Sequence, residues 1–405
     1  MANPLADLNT ERVRVLLSND RVQAELQALK AREPETIRTQ IELTEIPSPT
    51  FHEGARAASF AERLSAAGVQ DVHLDDQGNV LGWIGPKVPG LLLTAHLDTV
   101  FDQDTDVSVH QDEQGIYHGA GIVDDDRGLA AVLAVAPSLV AVQDLLTHGI
   151  LIGANVREEG KGDLGGSRYL LEHEAEHFRN FITVDGSAPE RIVTIGPACA
   201  SFIVTFSGPG GHAYGNFGRP SAVHAAARAT VAITDLEVPG DPKTIWNVGA
   251  IRGGVTETSI AYSAQIEVDL RSNEQSVLDD LVVRFRAAVD AAVAEENRLR
   301  DTSAGEITAT MVQTCTIPGG TLPSESGLGA AAEAALRAVG VEAALGGAAT
   351  TDANIPLSLG VPALCLGGGG HGQNEHSTEE LFDPTDSHLG PQGIFLTALA
   401  QDGED

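Results

Sequence analysis

Four short, uninterrupted apolar runs constrain the fold of this chain more than any other feature. The runs occupy residues 91–95, 149–154, 181–184 and 361–366. Short apolar runs are typical of strands buried on both faces of a parallel sheet. Helical patterns such as 128–141 and 328–339 separate them. This alternation predicts an α/β fold, a mostly parallel sheet with helices on both faces.

Residues 196–315 have a different pattern. Alternating strand-like segments and two helical segments, at 220–236 and 277–299, predict two helices on a four-stranded antiparallel sheet. This is a ferredoxin-like α+β arrangement. The α/β pattern resumes afterwards, so we expect this unit to be inserted into a larger domain made of residues 1–195 and 316–405. Residues 1–40 of that domain are predicted to form an N-terminal helical extension.

Composition excludes several classes of function. The chain of 405 residues has 25 basic and 57 acidic residues, a net charge of −32, and no basic stripe for nucleic acid. No apolar run approaches the ~18 residues of a membrane span, and no signal peptide is visible. The three cysteines are far apart, which argues against a disulfide framework or a thiolate zinc site. We therefore expect a cytoplasmic protein without nucleic-acid or membrane partners.

Side chains that bind metals follow the predicted strands at the points where they end. They are His96 and Asp98, Glu158 and Glu159, Asp185, and His376 beyond a glycine-rich loop. A run of three aspartates, 124–126, precedes the helical pattern at 128–141. Ligands of open α/β sheets bind beyond the carboxyl ends of the strands. We therefore expect these side chains to meet at one edge of the sheet.

Two imidazoles and three carboxylates form a ligand set that suits zinc, with cobalt or manganese as possible substitutes. Five ligands exceed the needs of one tetrahedral zinc with an open position, so they favour two ions that share a carboxylate. A further carboxylate at the same edge can then serve as a general base. Asp98 is expected to orient the His96 ring. Two other His-x-Asp patterns lie in polar hairpins and are interpreted as surface pairs.

Seven segments resemble, in order, the motifs of a family of co-catalytic zinc hydrolases. They are TAHLDTV (94–100), GAGIVDDDRG (119–128), REEG (157–160), VDGS (184–187), GGHAYGNFGRPSA (210–222), GAIRGG…SIAYSAQIEVDLRS (249–272) and TDANIPLSLGVPALCLGGGG…EHSTEELFD (351–383). The family contains peptidase T, glutamate carboxypeptidase, aminoacylase and the acetylornithine and succinyl-diaminopimelate deacylases. The resemblance extends from about residue 40 to the C-terminus, and the chain is most similar to the peptidase-type members.

The resemblance implies a role for each residue of the site. One zinc would be held by His96 and Asp185, the other by Glu159 and His376, and Asp125 would bridge them. Asp125 is chosen because the family's bridging residue stands two positions before a Lys/Arg–Gly pair; Asp124 is the less favoured bridge. Glu158 would be the general base, and Asp98 the partner of His96.

The resemblance also implies that the inserted unit is a lid and a dimerisation domain, so the protein is expected to be a homodimer. His212 matches a lid histidine that reaches a neighbouring active site and stabilises the oxyanion. Arg271 matches an arginine that binds a substrate carboxylate. Thr258 stands where many relatives have a substrate-contacting asparagine, so the pocket is expected to differ there.

These features predict a two-zinc exopeptidase that cleaves di- or tripeptides. An N-acyl-amino-acid amidohydrolase would use the same chemistry and is the alternative. A non-catalytic metal- or peptide-binding protein of the same fold is a remote alternative. Such a protein typically lacks the base or a ligand, whereas Glu158 and all the ligand candidates are present here.

Overall fold

The computed structural model describes residues 4–403. Its helices are α1 (Pro4–Leu17), α2 (Asp20–Ala31), α3 (Glu33–Thr44), α4 (Gly54–Ala66), α5 (Asp126–Ala141), α6 (Gly165–His173), α7 (Ala222–Thr234), α8 (Gln275–Arg298), α9 (Leu328–Ala338), α10 (Asn354–Ser358) and α11 (Leu389–Ala400). Its strands are β1 (Gln70–Leu74), β2 (Val80–Ile84), β3 (Gly90–Thr94), β4 (His110–Gln111), β5 (Tyr117–His118), β6 (Ile150–Ala154), β7 (Phe178–Val184), β8 (Arg191–Gly196), β9 (Ala198–Ser207), β10 (Gly211–His212), β11 (Thr244–Gly253), β12 (Ser259–Ile260), β13 (Ser263–Ser272), β14 (Thr308–Ile317), β15 (Gly320–Thr321), β16 (Ala344–Ala348), β17 (Ala363–Leu366), β18 (His371–Gln373) and β19 (Leu381–Asp383).

The chain divides into two compact units. Unit 1 contains the residues up to Gly196 and those from Thr321 onward, and unit 2 is Pro197–Gly320. The predicted insertion, 196–315, ended within β14, which continues to Ile317. Among residues 4–403, no helix has the length and apolar character needed to cross a membrane.

Unit 1 is built on one large sheet in the order β1-β2-β6-β3-β7-β17-β8-β15, with β16 beside β8. At its centre, β3 pairs in parallel with β6 and β7, and β17 pairs in parallel with β7. Antiparallel pairs flank this centre, between β2 and β6 and between β17 and β8. The predicted α/β fold with a mostly parallel central sheet is confirmed.

The apolar runs form the core of unit 1. Every residue of β3 and β6 is buried, as expected for strands covered on both faces. Helix α5, whose sequence is almost entirely apolar, packs against β3, β6 and β7. Gly153 allows β2 to approach closely, since a Cβ there would lie 1.8 Å from the Val80 carbonyl oxygen. The core therefore fixes where each central strand ends.

Unit 2 is a four-stranded antiparallel sheet in the order β11-β13-β9-β14, with α7 and α8 packed against it. Alternate residues of β13 are buried, so one face of the sheet meets the helices. The core between the layers includes Phe202, Phe206 and Phe285. This is the predicted arrangement of two helices on a four-stranded antiparallel sheet.

The N-terminal helices belong to unit 1. Helix α1 packs against α9 and α11, α2 packs against α5 and α11, and α3 packs against α5. Val22, Leu26 and Leu29 of α2 are buried in the same core as the central strands. The extension therefore contributes to the core of unit 1.

Candidate metal centre

Three central strands of unit 1 deliver polar residues to the same edge of the sheet. His96 lies two residues after β3, Glu158 and Glu159 follow β6, and Asp185 comes directly after β7. His96 and Asn155 form a parallel bridge beyond the ends of β3 and β6. The Asp185 amide donates to the Leu366 carbonyl at 2.9 Å. Backbone pairing therefore continues past the strands and holds these loops together.

The Asp124 carboxylate lies between two histidines. Its Oδ1 is 3.0 Å from Nε2 of His96, and its Oδ2 is 3.0 Å from Nε2 of His376. Nε2 of His376 also lies 3.0 Å from Oε1 of Glu159. Ligand atoms of His96, Asp124 and Glu159 all lie within 4.8 Å of one another. One carboxylate thus presents one oxygen to each histidine, which is the arrangement expected of a ligand shared by two cations.

Asp125, chosen from the sequence as the bridge, has a different environment. Its Oδ1 accepts hydrogen bonds from the amides of Gly128 (3.1 Å) and Gly186 (3.2 Å), and its Oδ2 accepts one from the His96 amide (3.1 Å). The fully buried carboxylate caps helix α5 and connects three loops. Asp124 therefore faces both histidines, whereas backbone amides bind both oxygens of Asp125; which of the two bridges a pair of ions stays a prediction.

Asp185 and Glu158 carry raised pKa values at this edge. Burial and the nearby Asp124 carboxylate raise the pKa of Asp185 to about 7. Burial also raises the pKa of Glu158 well above its usual range, although the His96 charge opposes this. Both carboxylates lie close enough to His96 for its charge to oppose the rise of their pKa values. A carboxylate with a raised pKa is well suited to accepting a proton near neutral pH.

Asp98 holds two loops in place. Its Oδ1 accepts from the Glu158 amide at 2.9 Å, and its Oδ2 accepts from the Glu159 amide at 3.0 Å. Nδ1 of His96 is 2.9 Å from the Asp98 carbonyl oxygen and 3.6 Å from Oδ1 of the carboxylate. With Nδ1 donating to that carbonyl, Nε2 is the nitrogen that faces Asp124 and is available to a cation bound there. The backbone of Asp98 therefore orients His96 more directly than its side chain does.

Glu380 is a buried residue of the site that sequence reasoning did not find. Its Oε2 accepts from the Gly121 amide at 2.9 Å, and its Oε1 accepts from the amides of Val123 (2.7 Å) and Asp124 (2.9 Å). It lies four residues after His376, so it connects the two loops that carry Asp124 and His376. The only signal in the sequence is that spacing, within a stretch that otherwise resembles an acidic surface loop.

Two further buried polar pairs support the loops and were also missed. Nη1 of Arg56 lies 3.1 Å from Oδ1 of Asp126, and it donates to the Leu97 carbonyl between the two residues of the His-x-Asp pattern. Asn155 donates to Oδ2 of Asp352 at 2.6 Å. Arg56, Asp126 and Asp352 are almost fully buried. Nothing in their local sequence distinguishes these charged residues from surface ones.

The two substrate-binding candidates lie in unit 2. His212 is an exposed residue of β10, and its Nδ1 accepts hydrogen bonds from the amides of Tyr214 (3.2 Å) and Gly215 (3.3 Å). Arg271 is partly exposed, and its Nε donates to Oδ2 of Asp269 at 2.8 Å. Thr258 accepts a backbone hydrogen bond from Ala213 at 2.9 Å. The roles given to His212 and Arg271 stay predictions.

The donor set fits divalent cations. Imidazole nitrogens and carboxylate oxygens are the ligands of zinc, and also of cobalt and manganese. The carboxylates of Asp124 and Glu159 raise the pKa of His376 to about 10, which reports a strongly negative surrounding. Cations would neutralise that charge. The candidate ligands are called the metal centre below; they are His96, Asp124, Glu159, Asp185 and His376.

Fold and metal centre together define a metal-dependent hydrolase. The model of the family named Peptidase family M20/M25/M40 matches residues 92–400, and the chain belongs to this family. The resemblance drawn from the motifs is thereby confirmed. Members of the family are hydrolases, so the protein is an enzyme of this class.

Solved structures share the fold. A tripeptidase from Staphylococcus aureus has a TM-score of 0.76 and 23% identity, with 92% of this chain and 99% of that chain covered. The YxeP protein of Bacillus subtilis, described as a dinuclear metal binding peptidase, has a TM-score of 0.69 and 14% identity, with 91% and 98% covered. At these identities, the likeness concerns the fold.

A curated relative matches only part of the chain. A [LysW]-lysine hydrolase from Deinococcus radiodurans is 31% identical over 133 residues. The match covers 33% of this chain and 35% of the relative, so it spans about a third of each.

Proposed function

We propose that this protein is a two-metal exopeptidase that hydrolyses di- and tripeptides. The observation that carries the proposal is the Asp124 carboxylate, which has one oxygen 3.0 Å from each of His96 and His376. The tripeptidase that shares the fold over 92% of this chain supports the peptide substrate.

Each side chain of the metal centre has a proposed place. His96 and Asp185 would hold one ion, Glu159 and His376 would hold the other, and Asp124 would be a ligand of both. We propose zinc, with cobalt or manganese able to replace it, because the donors are nitrogen and oxygen only. When bound, such ions polarise a scissile carbonyl and make a water molecule more acidic.

Glu158 is proposed as the general base. It takes a proton from the attacking water and passes it to the departing amine, which requires a carboxylate that is easily protonated. Burial raises the pKa of Glu158 well above that of an ordinary glutamate, as this role needs. The hydrogen bond from the Glu158 amide to Asp98 fixes the base relative to His96.

Substrate recognition is proposed for unit 2. His212 would stabilise the oxyanion, and Arg271 would bind the C-terminal carboxylate of the peptide through its guanidinium. Unit 2 would act as a lid and join two chains into a homodimer. The enzyme is proposed to work in the cytoplasm.

A panel of small substrates tests this proposal. Tripeptides with free termini, the same peptides with an amidated C-terminus, and N-acetyl amino acids are each incubated with the zinc- or cobalt-loaded enzyme. We expect release of a terminal amino acid from the free peptides, and no release by Glu158→Gln under the same conditions. Cleavage of N-acetyl amino acids without cleavage of any peptide would contradict the exopeptidase proposal.

An amidohydrolase acting on an acyl-type amide of an amino acid is the second candidate. It is favoured by the sequence match to a [LysW]-lysine hydrolase. N-acyl-lysine derivatives added to the same panel separate the two candidates. A kcat/KM for acyl-lysine that exceeds the value for every tripeptide would favour the second.

A further inference from the structure

Two thiols lie side by side on neighbouring strands of unit 2. Sγ of Cys199 in β9 and Sγ of Cys315 in β14 are 3.6 Å apart, although 116 positions separate the residues in sequence. In the antiparallel pairing, Cys315 lies opposite Ser201 and Cys199 lies opposite Ile317, so the two cysteines are diagonal neighbours. The sequence, with its widely spaced cysteines, gave no indication of this proximity.

We propose that Cys199 and Cys315 are a site of reversible oxidation that closes to a disulfide in the presence of hydrogen peroxide. The peroxide oxidises one thiol to a sulfenic acid and leaves as water. The second sulfur attacks the sulfenic sulfur, and a second water leaves as the S–S bond forms. Two thiols and one peroxide thus give one disulfide and two waters. A dithiol reductant reverses the reaction.

The strands can accommodate the bond. The sulfurs must move from 3.6 Å to about 2.05 Å, a shift of roughly 1.5 Å. Diagonal neighbours in a sheet start farther apart than a disulfide prefers. However, β14 is the edge strand of its sheet, and its register shifts between Gln313 and Cys315. An edge strand with an irregularity can move toward its neighbour at less cost than a strand paired on both sides.

The different exposure of the two cysteines determines the order in which they react. Cys315 is partly exposed, whereas Cys199 is only 3% exposed. The adjacent Cys315 thiol and burial raise the pKa of Cys199, so Cys199 stays protonated at neutral pH. Peroxide therefore reaches Cys315 first, and Cys199 resolves the sulfenic acid. Oxidation is slower than at an activated thiolate, because the thiolate is the reactive form.

The pair is connected to Arg271 through one carboxylate. The Cys199 thiol donates to Oδ1 of Asp269 at 3.3 Å, and Ser201 donates to the same oxygen at 2.9 Å. Oδ2 of Asp269 accepts from Nε of Arg271 at 2.8 Å. A disulfide removes the thiol donor and draws β14 toward β9, so Asp269 and Arg271 must readjust. The effect on activity rests on the proposed role of Arg271, whereas formation of the bond does not.

The test uses the full chain treated with hydrogen peroxide and then with an alkylating agent under denaturing conditions. We expect the protein to lose the mass of two hydrogen atoms, and a proteolytic digest to contain a peptide cross-linked between Cys199 and Cys315. Dithiothreitol should restore both thiols. Cys365, buried in β17 of unit 1, is the internal control and should remain fully alkylatable after denaturation.

Variants sharpen the test. Cys315→Ser should abolish the cross-link, and the matched variant Cys365→Ser should leave it unchanged. If both thiols of the peroxide-treated wild type stay alkylatable, or if Cys315 is oxidised only to sulfinic acid, the proposal is overturned.

The second measurement is KM for a tripeptide with a free C-terminal carboxylate, before and after oxidation. We expect KM to rise at least about threefold with little change in kcat, and to recover on reduction. A cross-linked enzyme whose KM is unchanged would overturn the coupling to Arg271. The cross-link is detected by mass and not by activity. An absence of cross-linking can therefore be distinguished from a failure of the proposed function.

Discussion

Each unit buries a cluster of ionisable side chains, and the two clusters balance their charges differently. In unit 2, the fully buried Glu296 accepts from Nε of Arg228 at 3.0 Å, from Nε of Arg300 at 3.1 Å and from the Ser221 amide at 3.2 Å. Within the part of the chain that the structure describes, the ion pairs of Asp124 and Glu159 in unit 1 are with histidines only.

The pKa values of Glu296 and of Asp185 shift in opposite directions. Burial opposes ionisation of Glu296, yet Arg228 and the Ser221 amide hold its pKa below the usual value. In unit 1, burial and neighbouring carboxylates raise the pKa of Asp185 to about 7. A buried carboxylate surrounded by arginines is already compensated and connects helices. Among the described residues, Asp185 forms no ion pair with an arginine or a lysine and lies near other buried carboxylates, which is typical of a site that binds cations.

The largest effect is expected at Glu158. Glu158→Gln keeps the shape of the side chain and the backbone hydrogen bond to Asp98, but it cannot accept the proton from water. We expect kcat to fall by about 10³-fold, with two metal ions per chain retained. Steady-state kinetics and metal analysis of the same preparation measure both. Turnover within tenfold of wild type would remove Glu158 from the mechanism.

The next largest effect is expected on metal affinity, and it distinguishes the role of Asp124 from that of Asp125. Asp124→Asn removes the charge between the two histidines, so we expect metal affinity to fall on the order of 100-fold or more. Asp125→Asn retains one oxygen for the amides of Gly128 and Gly186, so we expect a loss of about tenfold. Competition between a chelator and the cobalt-loaded protein measures the metal affinity of both variants. A larger loss in Asp125→Asn would restore the choice made from the sequence.

Substitution of Glu380 is expected to lower metal affinity less than substitution of Asp124. Glu380→Gln retains an acceptor for some of the three loop amides but places an NH₂ group against another. We expect metal affinity to fall by about 10–100-fold, as for other residues that orient ligands. Glu379→Gln, at the exposed neighbour, is the matched control and should bind metal normally. Equal affinity in the two variants would show that Glu380 does not position Asp124.

The smallest effect concerns stability and lies in unit 2. The pKa of Glu296 is lower in the folded state than in the unfolded state. The ionised carboxylate therefore stabilises the folded state above the unfolded pKa of about 4.3, and this stabilisation is lost as the pH falls through the lower, folded value. Glu296→Gln should therefore weaken unit 2 by about 1–3 kcal/mol at pH 7, and the difference should vanish in acid.

Hydrogen exchange in α7 and α8 measures this change, and Glu295→Gln, at the partly exposed neighbour, is the control that should change little. Metal affinity should be normal in both variants. A Glu296 variant whose destabilisation persists below pH 3 would contradict the proposed charge compensation.

Much of the architecture could be predicted because it depends on local pattern. The runs within β3, β6, β7 and β17 consist mainly of apolar residues, so their burial on both faces followed from composition. The same runs fixed where His96, Glu158 and Asp185 emerge.

The open choice between Asp124 and Asp125, and the omissions, arose where local pattern carries no information. Asp124 and Asp125 are adjacent and chemically identical, and only the backbone path decides which faces the histidines. Glu380 and Arg56 are charged residues on unremarkable segments, and their burial depends on contacts far away in sequence. Likewise, the proximity of Cys199 and Cys315 depends on the pairing of β9 with β14 and on the side that each cysteine faces.

The central claim is that two cations share the Asp124 carboxylate. The most direct measurement is a crystal structure of the zinc-loaded protein with anomalous diffraction collected at the zinc edge. We predict two anomalous peaks per chain, with one oxygen of Asp124 beside each and Asp125 still bound to backbone amides. A single peak, or two peaks joined by Asp125, would contradict the account.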